Sequence, residues 1–420
     1  MDFDAIWISP ITKQIDNPSR AYHGYSQQDI YQLNSNFGTE QDLKDLSAAL
    51  HARGMYLMVD VVTNHFGFDG DISSVDYSTM NPFNTASDYH SFCEIEDGNN
   101  ITQITLCDLG SASYPLPDVD TTLDSVRTEY NSWIQQLIST YNIDGLRIDS
   151  VKNVEIGFWS GFQKAAEIYA VGEVSDGRVD VACPYQDSLD GILNYPMFYQ
   201  LTYFFNGTQP TSANLINLMQ AVNSTSGCTD PTLMAPFSEN HDQPRFANYT
   251  DDKSLAVNVA AFTILADGIP IIYSGQEQSL AGGNDPYNRE AIWLQGYTDN
   301  PLYTHIKSLN HVRKQAISKS SAYVTERLQI IYSDDRYIVT NKGPTGSNIV
   351  AVYNNLGDTA SRSLSLTGTG FKASGYVIDV LSCSKVQVGS DGTLTAVVVE
   401  GMPLVFASVE MLAGSGMCGQ

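Results

Sequence analysis

Along the first three quarters of the chain the spacing of apolar positions switches repeatedly between two periods. Seven short apolar runs read as strands: Ala5 to Ile8, Met55 to Val62 (MYLMVDVV), Gly145 to Asp149, Ala170 to Val174, Gly191 to Tyr195, Leu233 to Phe237 and Ile269 to Tyr273. Several are apolar enough to be buried on both faces, as parallel strands are. Between them the apolar positions recur at helical spacing. Thr39 with Asp42 forms a capping pattern ahead of Leu43, Leu46 and Leu50, and Gly54 closes that helix. Val126, Tyr130, Trp133, Ile134, Leu137 and Ile138 mark a second helix, Phe158 to Tyr169 a third, and Leu302 to Ala316 a late one. Strands alternating with helices predict a parallel α/β fold, and a closed barrel of that kind takes eight strands. Seven runs, the first of them reached abruptly after Met1, lead to the expectation that the first βα unit is absent from this sequence.

Two regions break the alternation. Residues 66–119 are rich in Gly, Ser, Asn and Asp and contain two cysteines but no long periodic segment, which predicts an irregular insertion stapled by Cys93 and Cys107. From about Arg327 the pattern becomes short alternating runs (Gln329 to Tyr332, Tyr337 to Thr340, Ile349 to Tyr353, Ala396 to Glu400) separated by Gly, Ser, Asp and Asn, which predicts a separate antiparallel β domain. The expected organisation is a barrel over 1–65 and 120–325, an insertion over 66–119 and a C-terminal β-sandwich over 326–420.

Composition narrows the partners. Hydrophobic content of 42% and charged content of 16% are those of an ordinary globular protein. A formal charge of -25 repels nucleic acid and anionic membranes, so a neutral, polyhydroxylated substrate fits the surface better than an acidic one. No C-x-x-C pair is present among the six cysteines, which argues against zinc. Sequential disulfides (Cys93 with Cys107, Cys183 with Cys228, Cys383 with Cys418) are reasonable, although order does not establish connectivity. Sequons at Asn100, Asn206, Asn223 and Asn248 also suit the secretory route. No apolar run reaches the length of a transmembrane helix, no signal peptide is visible, and the ending GSGMCGQ carries no lipid-anchor signal.

The candidate chemistry lies at the strand ends. In IDGLRIDSVK, Leu146 and Ile148 alternate with Arg147 and Asp149, so the cation and the carboxylate share one face; the arginine keeps the aspartate ionised. For R-x-D alone the plain reading is a strand-end salt bridge. Other strand ends add Asp60, Asn64 and His65, then Glu173, then Glu239, Asn240, His241 and Asp242. Active sites of α/β barrels are built where such ends converge.

The segments DVVTNH (60–65), GLRIDSVKN (145–153), GEV (172–174) and ENHDQPR (239–245) resemble the four signature regions of the α-amylase family of glycoside hydrolases. AYHGYSQQDIY (21–31), CPYQ (183–186) and GGNDPYNRE (282–290) are further similar to its secreted fungal members. The resemblance implies a (β/α)8 TIM barrel, a calcium-binding subdomain after the third strand and a C-terminal β domain. It assigns Asp149 as nucleophile, Glu173 as general acid/base and Asp242 as the residue holding the sugar in the transition state. Glu173, flanked by Gly172 and Val174, is expected in surroundings that raise a carboxyl pKa. Tyr25, His65, Arg147, Lys152, Asn153, His241, Asp285 and Arg289 fall on substrate-contacting positions. Calcium is implied at Asn64, Asp118 and the backbone oxygen of Asn153, weakened by Thr105 where the family commonly has glutamate.

Asn153 stands where starch-degrading members usually have histidine, and Ser26 where they have tryptophan. These departures bear on the choice between sugar and water as acceptor. The resemblance therefore implies an endo-acting, retaining α-1,4-glucan hydrolase, secreted or cell-wall associated and monomeric. Two alternatives stand beside it: a 4-α-glucanotransferase, and a catalytically silent carbohydrate-binding protein lacking its first barrel unit.

Overall fold

A computed structural model describes residues 1–297 and 300–420. The chain divides into two compact units, one of Phe3–Ser175 with Val181–Leu193, the other of Met1–Asp2, Asp176–Asp180 and Asn194–Gln420.

The first unit is built on a parallel sheet. Its strands are β1 (Ala5–Ile8), β4 (Tyr56–Val61), β5 (Gly145–Ile148), β6 (Tyr169–Gly172) and β7 (Gly191–Ile192), hydrogen-bonded in that order. A short antiparallel pair, β2 (Thr12–Gln14) and β3 (Gln27–Leu33), lies between the first two in sequence. The helix Glu40–His51 opens with the capping box expected from Thr39 and Asp42, and Asp124–Tyr141 buries Val126, Tyr130, Trp133, Ile134 and Leu137 as the periodicity predicts. The third helix runs over Ile156–Ala166, because Tyr169 is already in β6. β5 is buried throughout, but β1 is not the buried strand its apolar run implied. It lies at an edge of the sheet, and Ala5 and Ile6 are exposed.

The insertion between β4 and the helix Asp124–Tyr141 consists mainly of 3-10 turns and one short helix, Ile101–Leu106, closed by a Cys93–Cys107 disulfide.

In the second unit the expected strands at Leu233 to Phe237 and Ile269 to Tyr273 are not regular strands. Pro231–Leu233 is a 3-10 turn, and the two segments meet through Ile269 N–H to the Met234 carbonyl and Ile271 N–H to the Pro236 carbonyl. Prolines 231, 236 and 270 each remove an amide donor, which shortens any ladder here. The late helix is Pro301–Lys319.

The antiparallel domain contains β8 (Gln329–Ser333), β9 (Tyr337–Lys342), β10 (Ile349–Asn354), β11 (Arg362–Leu366), β12 (Tyr376–Asp379), β13 (Ser384–Gln387), β14 (Leu394–Val398) and β15 (Leu404–Ser408). Six pair in the order β13-β12-β15-β10-β9-β8, and β11 pairs with β14. Their alternating side chains, among them Val339, Val350, Val352, Leu364, Leu366, Leu394, Ala396 and Phe406, form one hydrophobic cluster, the packing of a sandwich. Cys383 and Cys418 are bridged, Cys183 and Cys228 are also disulfide-bonded, and no described cysteine is free.

Candidate active site

Parallel register sets the first group of side chains. Asp60 of β4 is paired with Arg147 of β5, and Ile148 with Gly172 of β6, so that Asp149 and Glu173 each stand one residue beyond a strand end. Backbone bonds fix both: Asp149 N–H donates to the Val61 carbonyl and Glu173 N–H to the Ile148 carbonyl. Gly172 permits this closeness, since a Cβ there would lie 2.6 Å from Leu189 Cδ1 and 2.9 Å from Val151 Cγ2.

Arg147 is fully buried at the centre of the group. Its Nη1 donates to Asp60 Oδ1 at 2.9 Å and to Asp149 Oδ1 at 2.8 Å, and its Nη2 meets Glu173 Oε2 at 2.8 Å. The rings of Trp7 and Tyr25 lie 5.3 and 5.7 Å from the guanidinium carbon, within cation–π range. Asp60 also accepts from Tyr25 Oη at 2.7 Å and Trp7 Nε1 at 3.2 Å. Burial pushes the Asp60 carboxyl up to about 7, even with the guanidinium pulling it down.

Ser150, in the left-handed region at φ 50°, joins the two strand ends. Its hydroxyl donates to Asp149 Oδ2 at 2.6 Å and its N–H to Glu173 Oε2 at 3.0 Å. The partners of Glu173 thus include a cation and an N–H donor, whereas the apolar residues flanking it in sequence had pointed to an apolar pocket. Period-two spacing identified the Arg147–Asp149 pair. Ser150 and Trp7 escaped the sequence reading, because a serine and a lone tryptophan carry no spacing signal.

His65 is buried and its ring lies beside this group. Nε2 is 2.9 Å from the Tyr25 carbonyl, an oxygen that can only accept, so Nε2 carries the proton. Burial lowers the histidine's pKa, which leaves Nδ1 as a bare acceptor. It takes the N–H of Asn64 at 3.2 Å, and this turns the Asn64 amide oxygen toward the Asn153 carbonyl and Asp118 Oδ1, about 3.1 and 3.2 Å away. Three oxygen donors converge here, a set that suits a hard cation once Asp118, whose carboxyl burial pushes up to about 7 against the pull of His90, is ionised. Asp118 Oδ2 is held by His90 Nδ1 at 2.7 Å. Thr105 donates its hydroxyl to the Ile101 carbonyl of its own helix. Nearby, His90, Asp120 and Glu155 bring ligand atoms within 4.8 Å of one another.

Ser26 is wholly buried. Its hydroxyl lies 2.6 Å from Tyr114 Oη and donates to the Arg20 carbonyl, so this position is part of the packing beneath Tyr25. Asn153 is buried too, with its amide on the Ile104 carbonyl at 3.2 Å. Lys152 lies in the 3-10 turn Val151–Asn153.

A second group belongs to the other unit. Asn240 accepts the N–H groups of Asp242 and Gln243 and donates to Tyr195 Oη, while Asn288 donates to the His241 and Gln243 carbonyls. On the loop so fixed, Arg289 reaches Asp242 Oδ1 at 3.0 Å, the His241 carbonyl at 3.0 Å and Asp285 Oδ1 at 2.5 Å, and His241 Nε2 is 3.2 Å from Asp242 Oδ2. Arg245, also buried, pairs with Glu239 and Glu290 behind it.

Carboxylates carried on parallel strand ends around a buried arginine are the equipment of a barrel hydrolase that works by acid–base and nucleophilic chemistry. Comparison with known proteins defines the class. The family described as alpha amylase, catalytic domain, matches residues 1–322, and alpha-amylase, domain C, matches 330–420. Alpha-amylase 1 of Schwanniomyces occidentalis is 45% identical over the whole of this chain and 82% of its own length; alpha-amylase 1 of Lipomyces kononenkoae is 49% identical over the whole chain and 68% of its own. An α-amylase structure from Malbranchea cinnamomea superposes with a TM-score of 0.95 at 46% identity, covering 99% of this chain and 88% of that one. The chain belongs to the α-amylase family of glycoside hydrolases, and its fold is the TIM barrel of that family followed by an antiparallel β domain.

Proposed function

We propose that this protein cleaves α-1,4-glucosidic bonds within starch- or glycogen-type glucans by double displacement with retention. The observation that carries this reading is the single guanidinium of Arg147, which holds Asp149 on one nitrogen and Glu173 on the next. Carboxyl groups forked in this way fit the separation of about 5 to 5.5 Å used by retaining enzymes, which leaves no room for an intervening water. The Asp149 carboxylate attacks the anomeric carbon while Glu173 gives a proton to the glycosidic oxygen, which departs as an alcohol. Glu173 then takes a proton from water as that water displaces Asp149. Asp242, His241, Asp285 and Arg289 bind and orient sugar hydroxyls, and Tyr25, His65, Lys152 and Asn153 complete the substrate contacts.

Calcium is the cation that suits Asn64, Asp118 and the Asn153 carbonyl, since these are hard oxygen donors. Bound there it would tie the insertion to the end of β4. Thr105 adds no charge, so the affinity should be modest. Disulfides and exposed sequon asparagines such as Asn100 and Asn223 fit a secreted protein. No described helix is long and apolar enough to cross a membrane.

The test is to follow maltoheptaose by proton NMR. Products released first as α-anomers and shorter than the donor support the reading. First-formed β-anomers would contradict retention, and products longer than the donor would make the protein a glucanotransferase.

A further inference from the structure

The C-terminal domain holds a cavity of about 240 Å³ that no step of the cleavage uses. Phe371 packs on the hydrophobic cluster of the sandwich and also lines the cavity, and Tyr376, at the start of β12, stands 44% exposed at it. Lys385 Nζ sits 4.4 Å from the Tyr376 ring centroid, which helps fix the ring's orientation. Gly346, Gly370 and Gly375 keep stretches of the wall free of side chains. Two charged groups line the same space, Lys372 and Glu410, and among the described residues neither has a side-chain hydrogen bond or ion pair.

We propose that this cavity is an auxiliary docking site for a glucosyl unit of an α-glucan chain, an inference that rests on the glucan reading above. Drug-sized ligands occupy roughly 300 to 1,000 Å³, so this smaller space suits a single sugar ring. Aromatic rings offer the apolar faces on which a pyranose lies. An unspent ammonium and an unspent carboxylate supply a donor and an acceptor for its hydroxyls. A phosphate or acidic peptide would meet Glu410 and a chain of net charge -25, so a neutral polyol is the matching chemistry.

The experiment compares adsorption to granular starch in the cold with turnover of soluble maltopentaose, using the full chain and its Tyr376→Ala and Lys372→Ala/Glu410→Ala variants. Tyr376→Ala should weaken adsorption about fivefold, the value of one aromatic contact, while kcat/KM on maltopentaose stays unchanged. In Glu173→Gln, which binds maltoheptaose without consuming it, saturating maltoheptaose should slow acetylation of Lys372, read by mass spectrometry, and leave Lys253 unaffected. Unaltered adsorption in both variants, or a Lys372 equally reactive with and without maltoheptaose, overturns the proposal. A wild type that adsorbs starch yet cleaves no glucan would instead strike the catalytic reading, because adsorption and acetylation do not depend on turnover.

Discussion

Arg147 has 1% of its side chain exposed and holds Asp60, Asp149 and Glu173, whereas Arg289 is 18% exposed and holds Asp242 and Asp285, themselves 36% and 43% exposed. The family resemblance assigns Asp149 and Glu173 of the first group, and Asp242 and Asp285 of the second, to the substrate, but the settings give the two arginines different work. Three carboxylates around one desolvated guanidinium form a preorganised charge cluster, in which each member depends on the others. The Arg289 group can still exchange its partners for water or for sugar hydroxyls, and its ion pairs are screened. On the proposed function, the first group is therefore where chemistry and stability are coupled, and the second is where binding is adjusted.

Removing a member of the buried group should have the largest effect. Glu173→Gln keeps the shape and loses the proton, and turnover of maltoheptaose should fall by about 10³-fold or more with binding retained. Near-normal rates would overturn its role. Arg147→Met should leave three buried carboxylates without their cation. We expect a loss of about 3 to 5 kcal/mol in denaturant unfolding together with loss of activity; a stable Met variant would show that the two settings do not differ as described.

Arg289→Ala, by contrast, should raise KM about tenfold through one lost charge-assisted contact and change stability by less than about 1 kcal/mol. A stability loss as large as that of Arg147→Met would erase the distinction. Chelation of calcium should lower the melting temperature by a few degrees, about what 1 kcal/mol does in a chain of this size. An unchanged melting curve would remove the cation from the Asn64 site.

A further effect is in pH dependence. Burial raises the Asp60 carboxyl to about 7, so the folded protein retains a proton that the unfolded chain releases above about 4. The native state then binds more protons, and this group's contribution to stability falls as pH rises from about 4 to about 7. Asp60→Asn should flatten that part of the stability profile. A profile identical to wild type would place the titration elsewhere.

Much of the buried group was legible in the sequence because parallel strands convert spacing into geometry. Period two put Arg147 beside Asp149, and strand-end positions put Asp60 and Glu173 next to them. What spacing does not encode is the left-handed turn at Ser150, whose hydroxyl and N–H join the two acids. Nor does it reveal that His65, by the tautomer the Tyr25 carbonyl imposes, aims the Asn64 oxygen at Asp118. Strand assignments failed where prolines interrupt the ladder, at 231–237 and 269–273, and where an apolar run marked an edge strand as buried, at Ala5–Ile8. The alternating runs did mark an antiparallel domain: β14 buries every second residue, although it runs over Leu394–Val398 and not 396–400, whereas β9 and β10 are buried almost throughout.

Covalent trapping on the buried group tests the central claim most directly. Maltotriosyl fluoride needs no acid to leave, so Glu173→Gln should form the glycosyl ester and, lacking its base, break it down slowly. Peptide mass spectrometry should then find the maltotriosyl mass on Asp149. A label on another residue, or none while fluoride is released, would contradict the account.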